Sequence, residues 1–168
     1  MAQFSILFQN DEILLINKAA GVSVQGGEGI LHPLDKELSA QVGYQVHLVH
    51  RLDKETSGVC VLARTRKAAH RLTQAFKDRN IHKVYWAVCK GFPPFKKGTI
   101  SFPLSKKKMG GIEKMVPDEQ GAPAETEYKV LEKSSGVSLL EVCPLTGRTH
   151  QIRVHCAASG FPLLGDKK

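Results

Sequence analysis

The residues most able to do chemistry lie in charged stretches beside apolar runs. The first, HRLDKETSG at residues 50–58, places Asp53 between Arg51 and Lys54. Cationic neighbours stabilise an ionised carboxylate when the side chains converge, and such a carboxylate can act as a nucleophile or a general base. An isolated Asp is more commonly a turn residue bonded to its own backbone. From the residues alone, both interpretations of Asp53 stay open.

His50 begins the same stretch and is interpreted as a packing or hydrogen-bonding histidine. A metal site needs several ligands, and His-x-x-Asp is not a usual zinc spacing. A hydrolytic triad needs a nucleophile elbow, and the chain contains no GxSxG. Metal chemistry and ester or phosphate hydrolysis are therefore remote functions for this sequence.

The second charged stretch is GRTHQIRVH at residues 147–155. If it is helical, Arg148 and Arg153 diverge, so that one faces RNA phosphates and the other faces an internal carboxylate. A solvated basic helix is the common alternative. Ile152 and Cys156 in the same segment favour a helix that packs partly inward.

A third stretch, KVYWAVCKG at residues 83–91, has the pattern of a strand. Alternation points Lys83 and Tyr85 to one side and Val84 and Trp86 to the other. Taken alone, Tyr85 is more commonly a core aromatic residue. A tyrosine can also stack on an RNA base.

The elements that must position these residues follow from apolar periodicity. Strands are predicted in residues 4–8, 13–16, 57–63, 82–91, 125–133 and 137–145, with short strands and loops in 92–123 and a long connection over 19–45. Helices are predicted in 64–80 and 148–160, the second capped by Thr146 or Thr149 and ended by Gly160. This order lacks a regular βαβ alternation. It predicts an α+β fold with a mixed, mainly antiparallel central sheet and flanking helices.

Composition narrows the class of partner. The 168 residues suffice for one domain with a real core, and Lys plus Arg outnumber Asp plus Glu by 24 to 16, a net charge of +8. This balance favours a polyanion, nucleic acid first, although charge alone does not exclude a merely basic protein. The four cysteines form no CxxC pair, which predicts free thiols in a reducing cytosol. No signal peptide or membrane span is predicted.

Together these stretches resemble the RluA-type RNA pseudouridine synthases. HRLDKETSGVCVLA is similar to the family's pattern HRLDxxTSG followed by an apolar strand, and KVYWAVCKG is similar to KxYxAxxxG. TGRTHQIRVH with GFPLLGD resembles the third motif and its tail. NDEILLINKAAG and GAPAETEYKVLE are weaker matches, so the resemblance covers nearly the whole chain in order.

The resemblance implies isomerisation of uridine to pseudouridine in ribosomal or transfer RNA, without cofactor or metal. The free thiols predict a cytoplasmic location, and a monomer is the default expectation. The base is detached from C1′, turned and rejoined through C5. By position, Asp53 is implied to be the catalytic carboxylate, Tyr85 to lie against the target base, and Arg153 to pair with the carboxylate. The predicted RNA contacts are Arg51, which fills the vacated stack, Lys54, Lys83, Arg148 and His150, with phosphates tracked by the basic residues of 64–71 and 106–108.

The chain differs from the family's pattern in three places. Lys18-Ala19 stands where the family usually has Lys-Pro, and no RNA-binding domain of the S4 kind is found. Family members continue beyond the closing GDKK, which implies that C-terminal strands are missing here. A single synthase catalytic domain over residues 1–168 is expected. The alternative function is a catalytically silent RNA-binding module or RNA chaperone on the same scaffold.

Overall fold

The computed structural model of the protein describes residues 3–27 and 29–166. The chain divides into two compact units, residues 1–81 and residues 82–168. In the part of the chain that is described, no helix has the length and apolar character needed to cross a membrane.

The first unit is built on a four-stranded antiparallel sheet with the order β1-β2-β4-β3. Its elements are β1 (Ser5–Gln9), β2 (Ile13–Lys18), α1 (Leu34–Val42), β3 (His47–Leu48), β4 (Gly58–Ala63) and α2 (Arg66–Lys77). The strands predicted in residues 4–8 and 13–16 are confirmed, and they form a hairpin, since β1 pairs with β2. The strand predicted in residues 57–63 is β4, which lies inside the sheet and pairs with a neighbour on each side.

Helix α2 confirms the helix predicted in residues 64–80. The Thr65 hydroxyl caps it by accepting a hydrogen bond from the Ala68 N–H (3.1 Å). Its inward side chains, Ala69, Leu72 and Phe76, pack against a small core that includes Val49 and Ala63.

Helix α1 corrects the expectation of a long connection over residues 19–45. Leu34 and Leu38, one turn apart, are its buried residues, and Gly43 ends it in the left-handed region (φ 76°). Two leucines in a short polar segment give little periodicity, so packing in the unit defines this helix more than its own sequence does.

The second unit contains a four-stranded antiparallel sheet with the order β5-β10-β9-β6 and a separate hairpin, β7-β8. Its elements are β5 (Tyr85–Lys90), β6 (Lys97–Ile100), β7 (Leu104–Met109), β8 (Ile112–Pro117), β9 (Thr126–Ser134), β10 (Val137–Pro144) and α3 (Gln151–Ala158). The strands predicted in residues 125–133 and 137–145 are confirmed as β9 and β10, which pair as a hairpin. Ser135 and Gly136 make its turn at φ 40° and 80°.

The α+β class is confirmed, and among the described residues the strand pairs are antiparallel and fall into three sheets. In β5 the predicted alternation is also confirmed, because Val84, Trp86 and Val88 are exposed while Ala87 and Cys89 are buried in the core of the second unit. All four cysteines are free thiols, and Cys143 is the one that is not fully buried.

Candidate active site

Asp53 lies in an irregular segment between β3 and β4 and is half-buried. Its carbonyl accepts a hydrogen bond from the Thr56 N–H (3.0 Å), which closes a turn around Lys54 and Glu55. Arg51 and Lys54 are exposed, and Leu52 between them is buried. The sequence therefore places the carboxylate on a turn that is anchored through an apolar neighbour and the main chain.

A buried lysine holds this turn. Lys18, at the end of β2, is 0% exposed, and its ammonium donates to the carbonyls of Lys54 (3.0 Å), Ala19 (2.9 Å) and Val22 (2.9 Å). The Gly21 N–H donates to the same Lys54 carbonyl (2.8 Å). Three carbonyl acceptors match the three donors of an ammonium, so the geometry requires the charged form of Lys18.

The electrostatics of Lys18 involve the carboxylates of the turn. Burial lowers the pKa of Lys18, and the nearby Cys60, Glu55 and Asp53 act in the opposite direction. Burial also raises the pKa of the Cys60 thiol to about 11, so this thiol stays protonated near neutral pH. The carboxylates of Glu55 and Asp53 are thus the anions that favour the charged form of Lys18.

His50 anchors the other end of the segment that carries Asp53. Its Nε2 accepts the Val61 N–H (3.0 Å), and its ring stacks on Phe76 with centroids 4.5 Å apart. Since Nε2 acts as an acceptor, this nitrogen carries no proton. The interpretation of His50 as a packing and hydrogen-bonding histidine is confirmed.

In the second unit the predicted residues cluster around the start of α3. This helix begins at Gln151, and His150 precedes it in the left-handed region (φ 54°) without a side-chain cap. The predicted caps Thr146 and Thr149 are therefore wrong, and Arg148 lies before the helix. The helical spacing from Arg148 to Arg153 does not apply, because one left-handed residue redirects the chain between them.

Arg153, on the first turns of α3, forms a bidentate pair with Asp166. Its Nε and one terminal nitrogen donate to the two carboxylate oxygens at 2.8 and 2.6 Å, with side-chain exposures of 19% and 18%. Bidentate geometry fixes the guanidinium plane more firmly than a single contact does. These bonds use two of the five N–H donors of an arginine.

The other predicted residues of the second unit surround the same segment or begin β5. The Lys83 ammonium donates to the Thr146 carbonyl (3.1 Å), and the exposed Arg148 donates from Nε to the Pro123 carbonyl (3.0 Å). Tyr85, half-buried, is the first residue of β5 and pairs with Val142 of β10. Lys83 thus has a structural contact in addition to its predicted RNA contact.

The structure brings Arg51, Asp53 and Lys54 together on one turn and Lys83, Arg148, His150 and Arg153 near the start of α3. Convergence of Asp53, Tyr85 and Arg153 stays a prediction. In residues 3–27 and 29–166, no group of three or more His, Cys, Asp or Glu side chains is placed to hold a metal ion.

Sequence reasoning missed the supporting residues Lys18 and Asp166. Lys18 ends the strand ILLINK, where a lone lysine closes an apolar run, and this position was a usable signal of a buried cation. Asp166 belongs to the tail GFPLLGD, but nothing in its spacing from Arg153 indicates a pair.

Comparison with known proteins identifies the family. A family model described as RNA pseudouridylate synthase matches residues 12–158. Two solved structures are similar: human RNA pseudouridylate synthase domain containing 4 (34% identity, TM-score 0.79, covering 96% of this chain and 67% of that one) and domain containing 1 (32%, 0.84, 98% and 68%). This chain belongs to the RNA pseudouridylate synthase family.

Curated relatives agree with this assignment. Ribosomal large subunit pseudouridine synthase C of Buchnera aphidicola is 38% identical over 97% of this chain and 53% of its own length. The mitochondrial pseudouridylate synthase RPUSD4 of Xenopus tropicalis is 35% identical over 97% of this chain and 59% of its own length. The chain thus spans somewhat more than half the length of these relatives.

Proposed function

We propose that this chain carries the catalytic machinery of an RNA pseudouridine synthase. It isomerises uridines in structured RNA to pseudouridine, and Asp53 serves as the nucleophile or the base. The observation that carries the proposal is the family match across residues 12–158, which includes a carboxylate on a turn clamped by a buried cation. The free thiols support a reducing cytoplasmic location.

Asp53 suits the chemistry because it is a half-buried carboxylate on a turn that the main chain and the Lys18 ammonium hold in place. Detaching the base from C1′ requires a carboxylate that attacks the sugar or the base, or that removes the 2′ proton. The reaction uses no external water, so a partly sheltered position is appropriate. The Lys18 ammonium holds the turn without occupying the carboxylate oxygens, since its three donors go to main-chain carbonyls.

Arg153 is proposed to hold the carboxylate of Asp53 in the assembled site. Asp166 supports this role, because the bidentate contact fixes the guanidinium in one plane. A guanidinium has five donors in a fixed fork and can serve two carboxylates. Asp166 is then the partner that orients Arg153 toward Asp53.

Tyr85 and Arg51 are proposed to stabilise the RNA when the target nucleotide is flipped out of its stack. Tyr85 offers a ring against the target base, and the exposed Arg51 fills the space that the base leaves in its stack. Lys54, Lys83, Arg148 and His150 contact the surrounding RNA. Phosphate contacts from these residues position the RNA without reading its sequence.

The decisive test replaces the carboxylate. The purified chain is incubated with ribosomal RNA transcripts and with transfer RNA, and pseudouridine positions are mapped chemically. Asp53→Asn is expected to abolish conversion while RNA binding persists, and Asp11→Asn, at an exposed carboxylate of the same unit, is expected to convert normally. Conversion by Asp53→Asn at the wild-type rate would refute the role of Asp53. RNA binding without conversion by the wild type would favour the silent RNA-binding module.

Several relatives are named ribosomal large subunit pseudouridine synthase C. We therefore propose large-subunit ribosomal RNA as the first substrate to test, with transfer RNA second. Mapping pseudouridine in total RNA from cells with and without the gene identifies the position. A position lost only from transfer RNA would overturn the ribosomal assignment.

Tyr85→Phe separates the ring from the hydroxyl. The phenylalanine ring keeps stacking on the base, so RNA affinity is expected to stay within about threefold of wild type. Binding by fluorescence anisotropy gives the affinity, and single-turnover conversion gives the rate. A complete loss of RNA binding would contradict the view that Tyr85 acts mainly through its ring.

A further inference from the structure

A hydrogen-bonded chain of buried polar side chains, called here the polar chain, runs between α3 and the start of β9 in the second unit. Its members are Thr126, Thr146, Gln151 and His155, which are 0%, 7%, 4% and 0% exposed. Buried polar groups of this kind are retained when each is satisfied by a neighbour. The question is what this chain of four holds in place.

The direction of the hydrogen bonds is fixed by its carbonyl end. His155 Nε2 lies 3.0 Å from the Phe102 carbonyl, which can only accept, so Nε2 carries the proton. Nδ1 must then accept, and it does so from the Thr126 hydroxyl at 2.8 Å. Burial lowers the pKa of His155, which favours the neutral imidazole, and the Phe102 carbonyl then assigns the Nε2–H tautomer.

The same direction continues through Gln151. The Thr126 hydroxyl, having donated to His155, accepts from Gln151 Nε2 (2.9 Å), whose amide also donates to the Glu125 carbonyl (2.8 Å). Gln151 Oε1 in turn accepts from the Thr146 hydroxyl (2.7 Å). The Glu125 N–H closes the chain by donating to the Thr146 oxygen (3.0 Å).

The polar chain forms hydrogen bonds with the main chain of the segment that carries the basic residues. Gln151 Oε1 accepts the Arg148 N–H (2.9 Å), which fixes the segment leading into α3. The Thr146 carbonyl accepts from Lys83 (3.1 Å), and Arg153 stands on the first turns of α3 itself. The basic groups are thus ordered from beneath by neutral side chains that do not reach the surface.

We propose that Gln151 is a positioning residue for uridine isomerisation, acting with Thr126, Thr146 and His155 to set the main chain at Arg148 and the orientation of Arg153. The inference rests on the proposed function. Each hydrogen bond of the polar chain has a fixed donor and a fixed acceptor. Removing a single hydroxyl therefore leaves one neighbouring acceptor without its donor and one neighbouring donor without its acceptor. The start of α3 then loses its single arrangement.

The test compares Thr126→Val with Thr126→Ser. Valine matches threonine in shape and cannot donate to His155 or accept from Gln151, whereas serine keeps the hydroxyl. With a ribosomal RNA substrate, Thr126→Val is expected to lower the single-turnover rate about 10- to 100-fold, the scale of a small misplacement at a reaction site. Its dissociation constant for RNA is expected to change less than about threefold, since phosphate contacts dominate affinity. Thr126→Ser is expected to restore the rate.

The matched control is Ser138→Ala. It removes another buried hydroxyl of the same sheet, one that donates to the Gly91 carbonyl (2.9 Å) at the opposite end of the β9-β10 hairpin. A loss of rate confined to Thr126→Val supports positioning. Equal losses in the two variants, or a Thr126→Val rate equal to wild type below the unfolding temperature, would overturn the proposal.

A second readout needs no activity. The Nε–H resonances of Arg148 and Arg153, assigned with the Arg148→Lys and Arg153→Lys variants, are expected to shift or broaden in Thr126→Val and to return in Thr126→Ser. Unchanged resonances would overturn the proposal. If the wild type makes no pseudouridine, the proposed function fails, and these spectra still decide the positioning claim. Should Thr126→Val not fold, Thr146→Val interrupts the chain at its other end and is judged by the same readouts.

Discussion

The turn that carries Asp53 and the segment that leads into α3 solve the same structural problem in different ways. Both present charged side chains from irregular backbone, and both are held from below by buried polar groups. Under the first lies a cation, Lys18, with three main-chain carbonyls around it. Under the second lies a neutral chain through Gln151, in which each group donates in one direction.

The difference follows the charge that each region presents. The carboxylates of Asp53 and Glu55 oppose the lowering of the Lys18 pKa by burial, so a buried ammonium is compatible with the charge of this turn. A buried cation beneath Arg148 and Arg153 would instead repel them, and burial lowers the pKa of His155, which keeps that imidazole neutral. The turn with carboxylates is thus supported by a buried cation. The segment with arginines is supported by buried side chains that carry no charge.

Breaking the cationic support should have the largest effect on stability. Lys18→Met leaves three carbonyls without their donor, and we expect the free energy of unfolding to fall by about 3 kcal/mol. Urea denaturation measures the loss. Lys36→Met, at an exposed lysine of the same unit, is the control and should change stability by less than about 0.5 kcal/mol. A Lys18→Met variant as stable as the control would contradict the role of Lys18 as a buried support.

Removing the carboxylate that orients Arg153 should have a smaller effect. Asp166→Asn keeps the shape and loses the charge of the bidentate pair, so we expect a loss of about 1 to 2 kcal/mol in the free energy of unfolding. Glu113→Gln breaks the pair with Lys106, in which both side chains are 60% exposed, and should cost almost nothing. Equal losses in the two variants would show that burial adds nothing to the Arg153–Asp166 pair.

The sequence predicted what local patterns determine. Alternation in residues 83–91 predicted which side chains of β5 share a face, and the helical spacing of apolar residues in 64–80 marked α2. Helix α1 was missed because its apolar content is two leucines. The start of α3 was misplaced because His150 adopts a left-handed conformation that its residue type does not announce.

The supporting groups of the candidate site were the least predictable part. Motifs marked Asp53, Tyr85 and Arg153, since charged or aromatic residues stand out beside apolar strands. Lys18, Asp166 and Gln151 each contact a group that is distant along the chain, and their partners include main-chain atoms that carry no sequence signature. Such contacts are made by the fold and are visible only once the fold is known.

Acidification should destabilise the buried polar chain at His155. The free energy of unfolding should therefore fall measurably as the pH is lowered. Because the pKa of His155 is lowered in the folded state, the unfolded chain takes up the proton first as the pH falls below about 6.5. The stabilisation is complete above that pH and is lost as the pH falls toward the folded-state pKa, by at most about 1.4 kcal/mol per pH unit. Denaturation between about pH 7 and pH 5 should show a shallower slope for His155→Gln than for wild type. His70→Gln, at an exposed histidine, should retain the wild-type slope.

The smallest effect on stability is expected where charge is exposed and supports no backbone. Lys106 on the β7-β8 hairpin pairs with Glu113 in solvent, so Lys106→Gln should change the free energy of unfolding by less than about 0.5 kcal/mol. If Lys106 contacts a phosphate, the same change lowers the slope of log binding constant against log salt by about 0.9. Binding titrations at several salt concentrations measure that slope. A buried support such as Lys18 should show the reverse pattern, with lost stability and an unchanged salt slope, because its ammonium is committed to main-chain carbonyls.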